Sequence, residues 1–173
     1  GLGRAFQELR PDLLVILGDR YEMLGAAQAA MVARIPIAHV HGGEATEGLI
    51  DEAIRHAITK MSHLHFVAAD VFRKRVIQLG EAPERVWTVG ATGLDNIEKI
   101  PRLERAELEE NLGIELYSPS FLVTYHPVTL QASDPSAAMR NLLDVLDSFG
   151  GTMVITGVNA DPGNNAIRRE IER

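Results

Sequence analysis

Cysteine is absent from the 173-residue sequence. A disulfide framework, a zinc ribbon, an iron–sulfur site and a thiol nucleophile are therefore excluded. Positive charge is scarce: 17 Lys and Arg stand against 24 Asp and Glu, a formal net charge of −7. That balance argues against a surface built for nucleic acid or for an anionic membrane. Nowhere does the chain approach the roughly 18 consecutive apolar residues of a membrane-spanning helix. No charged–apolar–small leader is seen in these residues, so the expected compartment is the cytosol. The signatures G-x-G-x-x-G and G-x-x-x-x-G-K-[ST] are missing too, which removes the usual dinucleotide and P-loop readings.

What is present can fold. Hydrophobic residues make up 46% of the chain, enough for a sizeable core. The length alone suits one ordinary domain. Leu13-Leu14-Val15-Ile16-Leu17, closed by Gly18, reads as a buried strand. The Ala- and Met-rich run 21–34 reads as a helix, and Ile35–Val40 as a second strand with Pro36 near its start. Ile50, Ile54, Ala57, Ile58 and Met61 recur at helical spacing. Strands follow at 64–68 and 85–89, with a helix over 70–79 closed by Gly80. The segment 98–120 holds two prolines and an acidic helix over 102–112, and reads as a connector. A fresh strand at 121–125 precedes a helix opened by Ser133-Asp134-Pro135 and ended by Gly150-Gly151. Another strand (152–156) and the start of another helix (166–172) complete the chain. Alternating strands and helices of this kind imply an α/β fold with parallel sheets and crossover helices.

Open parallel sheets bind ligands outside the carboxyl ends of their strands. Those ends hold Gly18-Asp19-Arg20, then His39, His41, Gly42, Gly43 and Glu44, then Thr92, Asp95 and Asn96. Beyond the connector they hold His126-Pro127-Val128-Thr129, then Gly157, Asn159, Asp161, Gly163 and Asn164. Five polar strand ends form a coherent rim. Each motif has a plain structural alternative. Asp19 could cap the next helix. His39 and His41 share one face of a strand and could be neutral histidines bonded to backbone, an acid/base pair, or half of a metal site completed by Glu44 or Asp51. Asp51 with Arg55, and Glu52 with His56, could be surface pairs four residues apart. Since this helix follows the His-Gly-Gly-Glu loop directly, its first turn should face the same cleft, where Asp51 and Glu52 could divide acid and base roles. His63 and His65 lie near the start of a strand and read as structural. Anions could be met by Arg20, Arg55 and His126, and by helix starts after Arg20 and near Gly163.

Gly18-Asp19-Arg20-Tyr21-Glu22-Met23, His39-Val40-His41-Gly42-Gly43-Glu44, the run 51–60 and His126-Pro127-Val128-Thr129 resemble, in order and over most of the chain, the hydrolysing UDP-N-acetylglucosamine 2-epimerases of sialic-acid-type sugar synthesis. The resemblance implies a glycosyltransferase-B-like architecture of two Rossmann-like domains, both incomplete in this chain. Residues 1–97 would be the C-terminal part of the first, 98–119 the connector and 120–173 the beginning of the second. Gly1 in place of Met, and a stop in the charged run 168–173, fit a central piece of a longer protein.

The implied reaction releases UDP from UDP-GlcNAc or a close relative, inverts C2 through a glycal and adds water. No metal or other cofactor is implied, and a homodimer is expected by family likeness. Carried over by position, Asp19, His41 and Asp51 fall on acid/base places, with Glu44 and Glu52 beside them. Arg20 and His126 fall near the diphosphate, and Asn159 on the nucleotide side. Many members have glutamate where this chain has His41. The histidine form resembles enzymes of bacterial sialic and legionaminic acid pathways, which adds UDP-2,4-diacetamido-trideoxyhexose as a substrate. Competing expectations are a non-hydrolysing 2-epimerase, a non-catalytic nucleotide-sugar binding module, and a metal hydrolase using His39 and His41.

Overall fold

The computed structural model describes residues 1–128, 130 and 134–173, the side chain of Glu98 excepted. Thr129 and Ser133, both named in the motifs above, lie outside the described residues. The chain divides into two compact units, Gly1–Ile100 and Pro101–Arg173.

The first unit runs α1 (Leu2–Leu9), β1 (Leu14–Leu17), α2 (Tyr21–Val32), β2 (Ile37–Val40), α3 (Asp51–Met61), β3 (Leu64–Val67), α4 (Asp70–Gln78), a 3-10 turn, β4 (Val86–Thr88) and α5 (Leu94–Lys99). Its four strands are all parallel in the order β1-β2-β3-β4. Adding strands one way with right-handed crossovers puts every crossover helix on one face of the sheet. Burial agrees with this. Ile16, His39, His65 and Val86 form one register row beneath the helices and are almost fully buried. The next row, Leu17, Val40, Phe66 and Trp87, faces the other way. On that side Val15 and Leu17 are 62% and 58% exposed, and Phe66 stacks on Trp87 at 5.3 Å. One core cluster joins Phe6, Ile16, Ala27, Ala30, Ile35, Ile37 and Ile58, and a second joins Val67, Val76 and Val86.

The helix α1 has no counterpart among the elements expected from the sequence, and Gly3 within it lowers its helix propensity. Burial of Phe6 in the core outweighs that propensity cost. The short helix α5 is a second addition, at the edge of the segment read as a connector. His63 and His65 have the structural roles expected of them. His63 Nδ1 accepts the Ile37 amide at 3.3 Å, and His65 Nε2 lies 3.1 Å from Glu81.

The second unit holds α6 (Arg105–Leu112), β5 (Ser120–Val123), α7 (Pro135–Asp147), β6 (Thr152–Ile155) and α8 (Asn164–Ile171). The strands β5 and β6 pair in parallel from Ser120↔Thr152 to Val123↔Ile155. Pro135 opens α7 behind an Asp134 cap that accepts the Ser136 amide at 2.9 Å, as the sequence suggests. Met139 of α7 and Ile167 of α8 are fully buried, and Arg140 reaches Glu170 at 2.9 Å between the two helices. The division between the units falls inside the stretch read as a connector.

Candidate active site

The carboxyl ends of β1 and β2 are tied together from beneath by His39. The ring Nε2 lies 2.8 Å from the Gly18 carbonyl, an acceptor only, so this nitrogen carries the proton. The Nδ1 then accepts from the Thr59 hydroxyl of α3 at 3.1 Å. Desolvation pushes the pKa of this ring down from 6.5 to about 4, against the pull of its Gly18 hydrogen bond. His39 is thus a neutral strut. It does not share a face with His41, as strand alternation would have it. The strand stops at Val40, and His41 takes a left-handed backbone with φ 65° that turns its side chain out of the pleat.

His41 instead begins a turn closed by its own ring. Nδ1 lies 3.0 Å from Glu44 Oε1, while Nε2 faces Thr92 beyond β4, with the amide at 3.4 Å and the hydroxyl at 3.3 Å. An amide can only donate, so Nε2 accepts and the Nδ1 proton points at the Glu44 carboxylate. Gly42 and Gly43 let this turn lie close to the helices. A Cβ at Gly42 would stand 3.0 Å from His39 Nδ1, and one at Gly43 only 2.6 Å from the Phe72 carbonyl of α4.

Arg55 of α3 is the hub of the arrangement. It is 4% exposed. Its Nη2 donates to Asp19 and to Thr46 Oγ1 (3.1 Å), and its Nη1 to the Glu44 carbonyl (2.8 Å). A buried cation needs a charged partner and satisfied donors, and Asp19 supplies the charge. Asp19 is therefore the partner of Arg55; the start of α2 has no side-chain cap. From α4, Arg75 donates to the Gly43 carbonyl. Glu52 accepts the Thr46 amide at 2.9 Å, which fixes the far end of the loop, and stands 3.8 Å from His56. Asp51 occupies the first turn of α3 beside it, where the helix dipole favours carboxylates. Arg20 lies 3.3 Å from Glu22 and 5.8 Å from the Tyr21 ring centroid. In the first unit, then, Asp19, His41, Glu44, Glu52 and Arg55 meet in one network. Thr46, Thr59 and Arg75 belong to it without having been singled out for it, and Thr92, read from the sequence as a rim residue, joins it through His41. A threonine that makes one side-chain hydrogen bond carries no sequence signature, and Arg75 looks like an ordinary helix-surface charge.

In the second unit His126 is exposed on the loop after β5. Asn159, after β6, forms a local turn: its side chain donates to Asp161 and accepts the Asp161 amide, and its carbonyl accepts from Asn164 at 2.8 Å. A Cβ at Gly163 would meet Pro135 at 3.2 Å and Pro127 at 3.6 Å, so the loop bearing His126 lies against the start of α8. Among the described residues, no group of three His, Asp or Glu is placed to hold a metal, and no helix is long and apolar enough to cross a membrane. A cavity of about 960 Å³ opens between α1 and α2, away from this rim, and is lined partly by Arg10 and Arg34. Both arginines stand at helix C-terminal ends, where a cation suits the dipole without any ligand.

Comparison with known proteins identifies the family. The model of the family described as UDP-N-acetylglucosamine 2-epimerase matches residues 1–173. The chain belongs to this family. It is 43% identical over 168 residues to the hydrolyzing GDP/UDP-N,N'-diacetylbacillosamine 2-epimerase of Campylobacter jejuni, covering 96% of this chain and 44% of that one. It is 36% identical over 172 residues to the hydrolyzing UDP-N,N'-diacetylbacillosamine 2-epimerase of Legionella pneumophila, covering 99% and 45%. The solved UDP-GlcNAc 2-epimerase of Neisseria meningitidis superposes with a TM-score of 0.72 at 18% identity, over 99% of this chain and 49% of that one. That likeness shows the fold, which is α/β and glycosyltransferase-B-like. The chain spans about half the length of the relatives it matches.

Proposed function

We propose that the whole protein is a hydrolysing 2-epimerase for a UDP-linked 2-acetamido sugar, and that this chain carries its acid/base groups. One observation carries the reading. In a chain of this family, the Asp19 carboxylate and the turn bearing His41 and Glu44 meet on one buried guanidinium, at the carboxyl ends of neighbouring parallel strands. The two relatives named for diacetylbacillosamine favour UDP-2,4-diacetamido-trideoxyhexose as substrate, with UDP-GlcNAc beside it. The cytosol, a homodimer and two Rossmann-like domains joined near residues 98–119 belong to this reading by family likeness.

The C2 proton of such a sugar is weakly acidic, so a base must be held against it. With its Nδ1 proton directed at Glu44, His41 offers Nε2 as the basic atom, the substrate's C2 hydrogen displacing the long contact with the Thr92 amide. Nε2 takes the C2 proton, the C1–O bond breaks with its electron pair leaving on UDP, and a glycal forms. Glu44 faces the imidazolium that results, the logic of other histidine–carboxylate pairs. Asp51, which must enter the step protonated and is reloaded from solvent afterwards, then gives its proton to the opposite face of C2. Water attacks C1 and surrenders its proton to Asp19, which Arg55 orients. The products are UDP and the free manno-configured sugar. Arg20 and His126 are assigned to the departing diphosphate, where donors are worth most, and Asn159 to the nucleotide.

The test is product identity. The full-length protein, given either UDP-sugar without added metal or NAD, should release UDP and the free sugar. An epimer still attached to UDP would overturn the hydrolytic step, and UDP binding without turnover would overturn catalysis altogether. In a folded Asp19→Asn protein, turnover should be lost; normal turnover would remove Asp19 from the chemistry.

A further inference from the structure

We propose that Arg75 of α4 is a positioning residue for the His41–Glu44 pair. The inference rests on the function proposed above. The turn from His41 to Glu44 is held by two guanidinium groups on successive carbonyls: Arg75 on that of Gly43, and Arg55 on that of Glu44. The grip is needed because the turn is not self-sustaining. His41 has φ 65° and Gly43 φ 80°, so two of its backbones occupy the left-handed region. For a non-glycine residue that region persists only where the surroundings over-determine it.

The helix α4 supplies those surroundings. Gly43 lies flush on its ridge, for a Cβ there would meet the Phe72 carbonyl at 2.6 Å and Val76 Cγ2 at 2.7 Å. Arg75 comes from the same stretch of helix. Its guanidinium stands 5.9 Å from the Phe72 ring centroid and closes over the Gly43 carbonyl. The Gly43 carbonyl and the Glu44 side chain belong to adjacent residues. Whatever sets the tilt of that peptide sets how the Glu44 carboxylate meets His41 Nδ1 at 3.0 Å. Arg75 thus acts through the turn on the tautomer and aim of His41, and touches no reacting atom itself.

The experiment compares full-length wild type with Arg75→Met, which keeps the packing on Phe72 and removes the donor, and with Arg75→Lys, which restores a cationic donor of different reach. UDP release should show kcat reduced by about tenfold to a hundredfold in Arg75→Met, the scale expected when a reacting group is misplaced by up to an ångström. KM should stay within about twofold, and Arg75→Lys should recover part of the loss. Ring-nitrogen NMR shifts of His41, read without substrate, should show the Nδ1–H tautomer in wild type and a mixture in Arg75→Met. An unchanged tautomer, or a kcat within twofold of wild type, overturns the proposal. So does Lys recovering no more than Met while thermal stability falls in both, because that is a purely structural role. If Arg75→Met does not fold, Arg75→Lys alone decides by the same two readouts. Failure of the underlying reading looks different: wild type would release no UDP, whereas the tautomer measurement still judges Arg75.

Discussion

Burial holds His39 at about 4, well below the 6.5 of an exposed ring. Above pH 6.5 the ring is neutral whether the chain is folded or not, and its contribution is fully present. As pH falls from 6.5 towards 4, the unfolded chain takes up a proton that the folded chain refuses, so stability is lost. The loss should reach about 3 kcal/mol by pH 4. His65, lowered chiefly by desolvation as well, adds a loss of the same sign. Urea unfolding across this window should slope steeply in wild type and less in His39→Gln; equal slopes would show that His39 is not the proton acceptor. Two glycines separate strain from crowding. Gly18 and Gly43 both have positive φ, 79° and 80°, but a Cβ would meet nothing within 4 Å at Gly18 and a backbone carbonyl at 2.6 Å at Gly43. Gly18→Ala should cost about 1 kcal/mol in denaturant titration, and Gly43→Ala about 3 kcal/mol. Equal costs would mean that the turn moves freely off α4. At this scale the sequence reveals which residues matter better than it reveals how they point. Asp19, His41, Glu44 and Arg55 are legible as rim residues. The opposite fates of His39 and His41 are not, since one left-handed backbone decides them.

The element that organises the site is α3. Its first turn carries Asp51 and Glu52, its next turn Arg55, and its buried face Thr59, so one rigid helix addresses both strand ends and the loop between them. Arg55, read from the sequence as an anion contact, spends its donors inside the protein. Removing one side of a buried ion pair strands the other. Arg55→Met and Asp19→Asn are each expected to destabilise the protein, by about 3 kcal/mol for Arg55→Met and less for Asp19→Asn, which keeps an acceptor. The double variant should lose much less than the sum. Additive losses in calorimetry would show that the two do not depend on each other. The helix α3 is legible because core burial and periodicity coincide in it, α2 because it is an unbroken Ala- and Met-rich run, and α7 because Asp134-Pro135 opens it and Gly150-Gly151 ends it. The helices α1 and α5 are not, for the first is written with glycines and the second buries none of its described side chains.

For the whole molecule the decisive feature is a sheet clothed on one face. In doubly wound folds helices cover both faces of a parallel sheet, yet Val15, Leu17 and Trp87 are 62%, 58% and 42% exposed on the face turned away from α2, α3 and α4. The apolar run of β1 makes sense only if that face is covered in the working protein, which fits a chain spanning about half of its relatives. The net charge of −7 sharpens this point, because it opposes self-association through charge and leaves apolar contact as the driving force. A polypeptide of residues 1–173 alone should therefore self-associate, bind an apolar dye and release no UDP, whereas the full-length protein should bind little dye and turn over. Trp87 is the single tryptophan of these 173 residues and stacks on Phe66 within this face, so in the 173-residue polypeptide its emission reports directly on the cover. Emission should be blue-shifted in the associated 173-residue polypeptide and should move to the red when it is diluted to monomer. A monomer that binds no dye and whose emission does not move on dilution would show that the face needs no cover.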